Sequence, residues 1–246
     1  MRTFTSGIVL QNTPFGKNHL LVTLFSPGGL LKFLAKQGLS LNCTYRDALQ
    51  PLVFGNYTLR GSSAKTRTLI EGEVRYDFPE LKQSYSLLHA GGKMIQAVLS
   101  SQWNEKPSPE LFSLLFNFLY RLHKSQNPDF FAAIFLLKLL QYEGILDLSP
   151  SCSLCNTPLI DTTCYRYQGQ KLCKKHAPQE AITLDKDEEH ILQAIIYAKH
   201  FQELLQLADF PIAITEKISF MFETSLHKET HLAQGDRASR TFHMKH

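Results

Sequence analysis

Four of the chain's five cysteines fall between residues 152 and 173, and three of them stand at spacings that constrain this region strongly. Cys152-x2-Cys155 is followed, after seventeen residues, by Cys173-x2-His176. Two ligands separated by two residues sit on one tight turn and point at one ion. Two such turns, brought together by a hairpin, complete a tetrahedron. Tyr165–Tyr167 and Lys171–Leu172 flank Gly169 and supply that hairpin. The fourth ligand has two candidates. His176 preserves the paired spacing and is preferred, while Cys164 offers four sulfurs at a less regular spacing. Four ligands close the coordination sphere, so the expected role of the ion, Zn2+, is structural. Clustered cysteines also argue against a disulfide framework and for a reducing compartment.

The first 76 residues read as β-structure. Thr5–Leu10, His19–Phe25, Leu30–Ala35, Leu52–Leu59 and Thr66–Val74 are short runs rich in apolar and β-branched residues. Ser26-Pro27-Gly28-Gly29 is strong turn chemistry between the second and third. Five short strands in so few residues suit a small barrel or sandwich, an OB-type barrel among them. This stretch carries nine Lys or Arg against three Asp or Glu, a formal +6 where the whole chain has +4. A basic module joined to a slightly acidic remainder suggests a polyanion-facing N-terminus. The candidate contacts are Lys32, Lys36, Arg46, Arg60, Lys65 and Arg67, with Tyr45, Phe54 and Tyr57 as candidate aromatic partners for bases.

Beyond Pro79 the period becomes helical. Leu81–Leu99 has helical spacing interrupted by Gly91-Gly92. Ser108-Pro109-Glu110 and Asn127-Pro128-Asp129 are start signals, a capping side chain followed by proline at the first helical position. The helix after Asn127 is apolar around most of its circumference, as in the buried centre of a bundle. Asp185 and Glu188 resemble a capping box, with a helix expected to about Ala208. A last amphipathic helix is expected over Ile214–Leu232. The expected fold class is therefore α+β. An N-terminal barrel occupies 1–78, a helical domain 79–150 and 180–234, an inserted zinc knuckle 151–179, and a tail 235–246.

No enzymatic motif survives inspection. His227 and His231 share a helix face, but the acid sits two residues after the first histidine instead of one, unlike a zincin. Gly16-Lys17 and Gly92-Lys93 lack the upstream glycine of a phosphate loop. No His-x-Glu precedes Cys152 as a zinc deaminase requires. The N-terminus lacks the apolar core of a signal peptide, and no stretch approaches a membrane span, so a soluble cytoplasmic protein is expected.

The order of features resembles the bacterial RecO family of DNA repair and recombination mediators. The resemblance rests on Gly28-Gly29, Ala35-Lys36-Gln37-Gly38, Leu49-Gln50-Pro51-Leu52, Phe135 through Leu140, Glu143-Gly144, the Cys152-x2-Cys155 turn and Ser239-Arg240-Thr241-Phe242. It implies an N-terminal OB-fold, a helical domain and a zinc knuckle in a non-enzymatic, nucleoid-associated protein. It further implies binding of single- and double-stranded DNA, annealing of complementary strands, action with RecR, and contact with the C-terminal tail of single-strand-binding protein. The consequence is loading of RecA. Phe131, Phe135 and Lys138 are the residues expected to meet that tail. Two departures stand out. His176 occupies the place of the family's usual fourth cysteine, and the loop Leu39–Tyr45 has no Lys or Arg. The rival readings are a zinc-bearing DNA-binding or transcription-associated module without annealing activity, and a zinc hydrolase with an open metal position.

Overall fold

The computed structural model describes residues 2–61, 66–206 and 213–225. The chain forms two compact units, residues 1–124 and 125–246. Lys65, His227, His231 and the stretch Ser239–Phe242 lie outside the described residues.

The first unit is built on five strands: β1 (Arg2–Phe15), β2 (His19–Ser26), β3 (Gly29–Ala35), β4 (Phe54–Arg60) and β5 (Arg67–Tyr76). They close in the order β1-β2-β3-β5-β4, with β4 returning to β1. Every pairing is antiparallel except the short parallel contact of β3 with β5 at Phe33–Arg67 and Leu34–Thr68. The order is consistent with the expected OB-type barrel. Alternation fills the interior with Val9, Leu20, Val22, Leu24, Phe33, Ala35, Leu59 and Leu69, all buried. Each large apolar side chain contributes roughly 1.5–3 kcal/mol by leaving water.

β1 is longer than the apolar run Thr5–Leu10 suggests, because one strand serves two partners. Residues 2–8 pair with β4 and residues 8–15 with β2, with a register shift between Val9 and Gln11. Gly7 lies at that corner, where a Cβ would come 2.5 Å from the Phe25 carbonyl oxygen. Glycine is the residue that lets the strands close so tightly there.

Helices α1 (Tyr85–Ser101) and α2 (Pro109–Arg121) complete this unit. α2 covers the outside of the barrel through aromatic contacts, Phe112 with Phe25 at 5.9 Å and Phe116 with Phe54 at 5.2 Å between ring centroids. Ser108 does not cap α2: its hydroxyl donates toward Gln102 Oε1 and the Lys106 carbonyl. Proline at the first position starts the helix instead. Residues 104–105 lie along β3, where the Glu105 N–H donates to the Leu30 carbonyl at 2.8 Å.

The second unit holds α3 (Pro128–Tyr142), strands β6 (Cys164–Tyr167), β7 (Gln170–Leu172) and β8 (Ile182–Leu184), and helices α4 (Lys186–Tyr197), α5 (Phe201–Gln206) and α6 (213–225). Asn127 caps α3 by accepting from the Phe130 N–H, and α3 is buried nearly all round. The strands form one sheet in the order β7-β6-β8. Gln168 and Gly169 both have positive φ, 48° and 80°, which suits a two-residue hairpin turn. Asp185 and Glu188 form the expected capping box. The helix expected to run to Ala208 breaks after Tyr197. Lys138 Nζ, from α3, takes the carbonyls of Ile196 and Ala198 at 2.8 and 3.1 Å. Among the described residues no helix is long and apolar enough to cross a membrane.

Candidate metal centre and nucleic-acid surface

Each two-residue spacing folds into a hydrogen-bonded turn. The Asn156 N–H donates to the Cys152 carbonyl at 2.9 Å, and the His176 N–H to the Cys173 carbonyl at 3.0 Å. The hairpin of β6 and β7 delivers the second turn to the first. As a result Cys152, Cys155, Cys173 and His176 each bring one donor atom within 4.8 Å of the others. Cys155 Sγ lies 3.8 Å from Cys173 Sγ. His176 Nδ1 lies 3.7 Å from Cys152 Sγ and 3.3 Å from Cys173 Sγ.

These distances test the donor set directly. Metal–sulfur bonds of about 2.3 Å and metal–nitrogen bonds of about 2.0–2.1 Å at tetrahedral angles set sulfur–sulfur edges of about 3.8 Å and sulfur–nitrogen edges of about 3.5 Å. The group has tetrahedral dimensions and fits a metal ion. Its protonation fits as well. Burial opposes ionisation of Cys152, but N–H groups of Leu154, Cys173 and Cys155 and the His176 ring outweigh it and lower the thiol to about 6. Burial and the neighbouring thiols push Cys173 the other way. A divalent cation would settle both as thiolates.

Cys164 stands apart from this group. It begins β6 facing α4, and its thiol donates to Glu189 Oε2 at 3.3 Å. Burial, and then the charge of Glu189, raise it to about 12. The same face of β6 and β7 carries Arg166 and Lys171, paired across the hairpin and almost wholly buried. Both bond Glu189 Oε1, Arg166 Nη2 at 3.0 Å and Lys171 Nζ at 2.8 Å. Two cations and one carboxylate thus share a buried site, joined to the first cysteine turn through Lys171 and Ser153. The sequence reading missed this cluster, because Glu189 lies 23 and 18 residues from its partners.

The barrel residues expected to meet DNA do not form one set. Lys32 is exposed on β3 opposite Thr23. Lys36 and Arg46 are exposed at the two ends of the loop after β3. The Tyr45 hydroxyl, donating to the Lys36 carbonyl at 3.0 Å, holds those two ends together. Arg60 is exposed at the end of β4, opposite Arg2. Arg67 differs: its side chain is 16% exposed, and Nη1 pairs with Glu105 at 2.5 Å. The candidate aromatics also turn inward. Tyr57 is buried with its hydroxyl on the Ala48 carbonyl, and Phe54 packs on α2.

The three residues expected to hold a partner tail are occupied structurally. Phe131 and Phe135 are fully buried, which corrects their expected display on a binding surface. A helix apolar around most of its circumference spends those two rings on the core. Lys138 closes the end of α4, and burial lowers the pKa of its ammonium against the opposing influence of Glu203.

A closed five-stranded barrel with exposed cations, followed by a helical unit carrying a three-cysteine, one-histidine group that could hold a metal ion, defines an α+β protein with an OB-like N-terminal barrel. Family models for the N-terminal and C-terminal parts of recombination protein O match residues 1–78 and 94–206. The DNA repair protein RecO of Chlamydia pneumoniae is 57% identical over 229 residues, covering 93% of this chain and 90% of that protein. The DNA repair protein RecO of Chlamydia trachomatis serovar L2 is 51% identical over 226 residues, covering 92% of this chain and 93% of that protein. At greater distance, that of Thermodesulfovibrio yellowstonii is 27% identical over 176 residues, covering 71% and 70%. The chain belongs to the RecO family of DNA repair proteins.

Proposed function

We propose that the chain binds single- and double-stranded DNA through its barrel and anneals complementary strands. With RecR, it helps load RecA onto DNA covered by single-strand-binding protein, whose acidic tail it also contacts. It acts as a mediator, not an enzyme, in the bacterial cytoplasm at the nucleoid. The observation that carries this reading is membership of the DNA repair family over both parts of the chain. Exposed Lys32, Lys36, Arg46 and Arg60 on the barrel support it. Cations that neutralise phosphates lower the repulsion between two strands and release counterions, so binding is sensitive to salt. Backbone contacts suit a protein that must accept any sequence.

We assign Cys152, Cys155, Cys173 and His176 as ligands of one structural zinc ion. Tetrahedral dimensions and thiolate-rich chemistry favour zinc. When bound, the ion supplies a cross-link between the two turns. Four protein ligands leave no position for water, which speaks against the hydrolase reading.

The test is annealing of two complementary oligonucleotides coated with single-strand-binding protein, with and without the chain. Acceleration that fades with salt supports the mediator. Intact DNA binding without acceleration, with RecR both absent and present, favours a DNA-binding module that does not anneal.

A further inference from the structure

The outer face of β1, β4 and β5 is laid out in cross-strand rows. Arg2 pairs with Arg60 in the first, Phe4, Thr58 and Glu71 follow in the second, and Asn56 stands beside Glu73 in the third. Alternation sends Tyr57 and Leu59 inward and leaves these rows outside. A cleft of about 670 Å³ lies over the second and third rows.

The charges on this face are poorly satisfied within the chain. Arg2 and Arg60 sit directly opposite each other, and like charges so placed destabilise a sheet. Among the described residues neither has a carboxylate partner, and Glu71 has no cation. Glu73 has Arg75 at 3.7 Å, an exposed pair of little worth. Between the cations and the acids stands Phe4, 77% exposed. Nucleic acid does not suit the whole face, because Glu71 and Glu73 repel phosphates. A peptide of one sign meets like charge at one end. The complement is a surface carrying both signs in the reverse order, which a two-fold contact between identical faces supplies.

We propose that this face pairs with its counterpart on a second copy of the chain. A two-fold axis lying in the face over Thr58 exchanges the arginine corner of one copy with the acidic strand of the other. Arg60 then meets Glu71 of the second copy, Arg2 meets Glu73, and the two Phe4 rings meet beside the axis, each entering the opposite cleft. Lys32, Lys36 and Arg46 lie on β3 and the loop after it, outside the paired face. Two copies joined in this way hold two DNA strands at once, a consequence that rests on the DNA-binding reading, whereas the pairing itself does not.

The test is sedimentation velocity of the full-length chain over a concentration series, at low and high salt. The wild-type chain should dimerise, less so at high salt, where exposed charges are screened. Arg60→Glu and Glu71→Lys each set like charges across the axis, and each should raise the dimer dissociation constant at least about tenfold. An equimolar mixture of the two variants should dimerise again, since each Arg60–Glu71 contact of the mixed pair then joins opposite charges. A chain carrying both changes should dimerise too, and Phe4→Ser should weaken the dimer. Because these side chains are exposed, unchanged melting temperatures confirm that the variants fold. A wild-type chain that stays monomeric at its highest soluble concentration overturns the proposal. So does a dimer that neither charge reversal weakens, or a loss that the mixture fails to restore. Capture of a basic protein through Glu71 by a chain that remains monomeric would assign the face to a foreign partner instead. None of these failures touches DNA binding, which oligonucleotide anisotropy of wild type and Lys36→Ala reads separately.

Discussion

Ser153 and Lys171 are joined by three hydrogen bonds. The Ser153 N–H and hydroxyl both donate to the Lys171 carbonyl at 2.8 Å, and the Lys171 N–H donates to Ser153 Oγ at 3.1 Å. Ser153 stands between Cys152 and Cys155, while Lys171 sends its ammonium into the buried site of Glu189. The Cys152–Cys155 turn, the β6–β7 hairpin and α4 are therefore linked by one chain of hydrogen bonds and ion pairs.

Removal of metal should be felt in α4, whose residues are not ligands. With zinc bound, chelation at neutral pH should lower the melting temperature, since binding to the folded form alone adds stability. Amide exchange in α4 should accelerate together with that of residues 152–176. Faster exchange confined to the turns would show that the Ser153–Lys171 link does not transmit the loss.

Neutralising Glu189 should be among the most damaging single changes in this unit. Glu189→Gln removes the carboxylate that both Arg166 and Lys171 bond in their buried site, at a cost of about 3–5 kcal/mol. Replacing all three with apolar residues of similar volume should cost less than that single change. The pH dependence has a definite sign. Burial raises the Glu189 carboxyl, but Arg166 and Lys171 outweigh it and hold the group below its ordinary value. Its stabilisation is complete above the unfolded value of about 4.3 and declines as pH falls through the lower folded value. The gap in urea-unfolding free energy between wild type and Glu189→Gln should therefore narrow below about pH 4.

How much of this was legible in the sequence follows from distance along the chain. Cys152-x2-Cys155, the Asp185–Glu188 box and the Gly169 turn are local, and each forms as the residues suggest. The barrel was legible because alternation in five short runs requires a closed or stacked sheet. Ser108 misled because its hydroxyl turns away from the helix to donate to nearby acceptors, Gln102 Oε1 and the Lys106 carbonyl. The break after Tyr197 falls where Lys138, 58 residues away from Ile196, donates to the carbonyls at the helix end. Arg67 reads as a free cation until Glu105, 38 residues on, is found beside it. Charge patterning shows where cations are, but not which of them are already paired.

The ligand set can be resolved by substitution. Cys164→Ser should retain one zinc per chain by native mass spectrometry, because its thiol serves Glu189 and its raised pKa keeps it protonated. Cys173→Ser should lose the ion, and His176→Cys should keep it, since thiolate at that position also completes a tetrahedron. Loss of zinc from Cys164→Ser in a chain that still folds, with His176→Ala retaining the ion, would move the fourth ligand from His176 to Cys164.

The expected DNA contacts should separate into two kinds of variant. Lys36 and Arg46 are exposed and close a single loop, so replacing either with Ala should lower the single-strand salt slope by about 0.7 while leaving the melting temperature unchanged. Arg67→Ala should do the reverse. Its guanidinium is largely buried against Glu105, and the loss strands a carboxylate beside β5. A charge-assisted hydrogen bond of this kind contributes about 1.5–3 kcal/mol, and the partial exposure of Glu105 puts the expected cost at the lower end. Chemical unfolding checks the stability, and anisotropy across a salt series checks the slope. Suppose instead that Arg67→Ala flattened the slope without lowering stability. The pair with Glu105 would then have to open when DNA arrives, and the guanidinium would exchange its carboxylate for a phosphate.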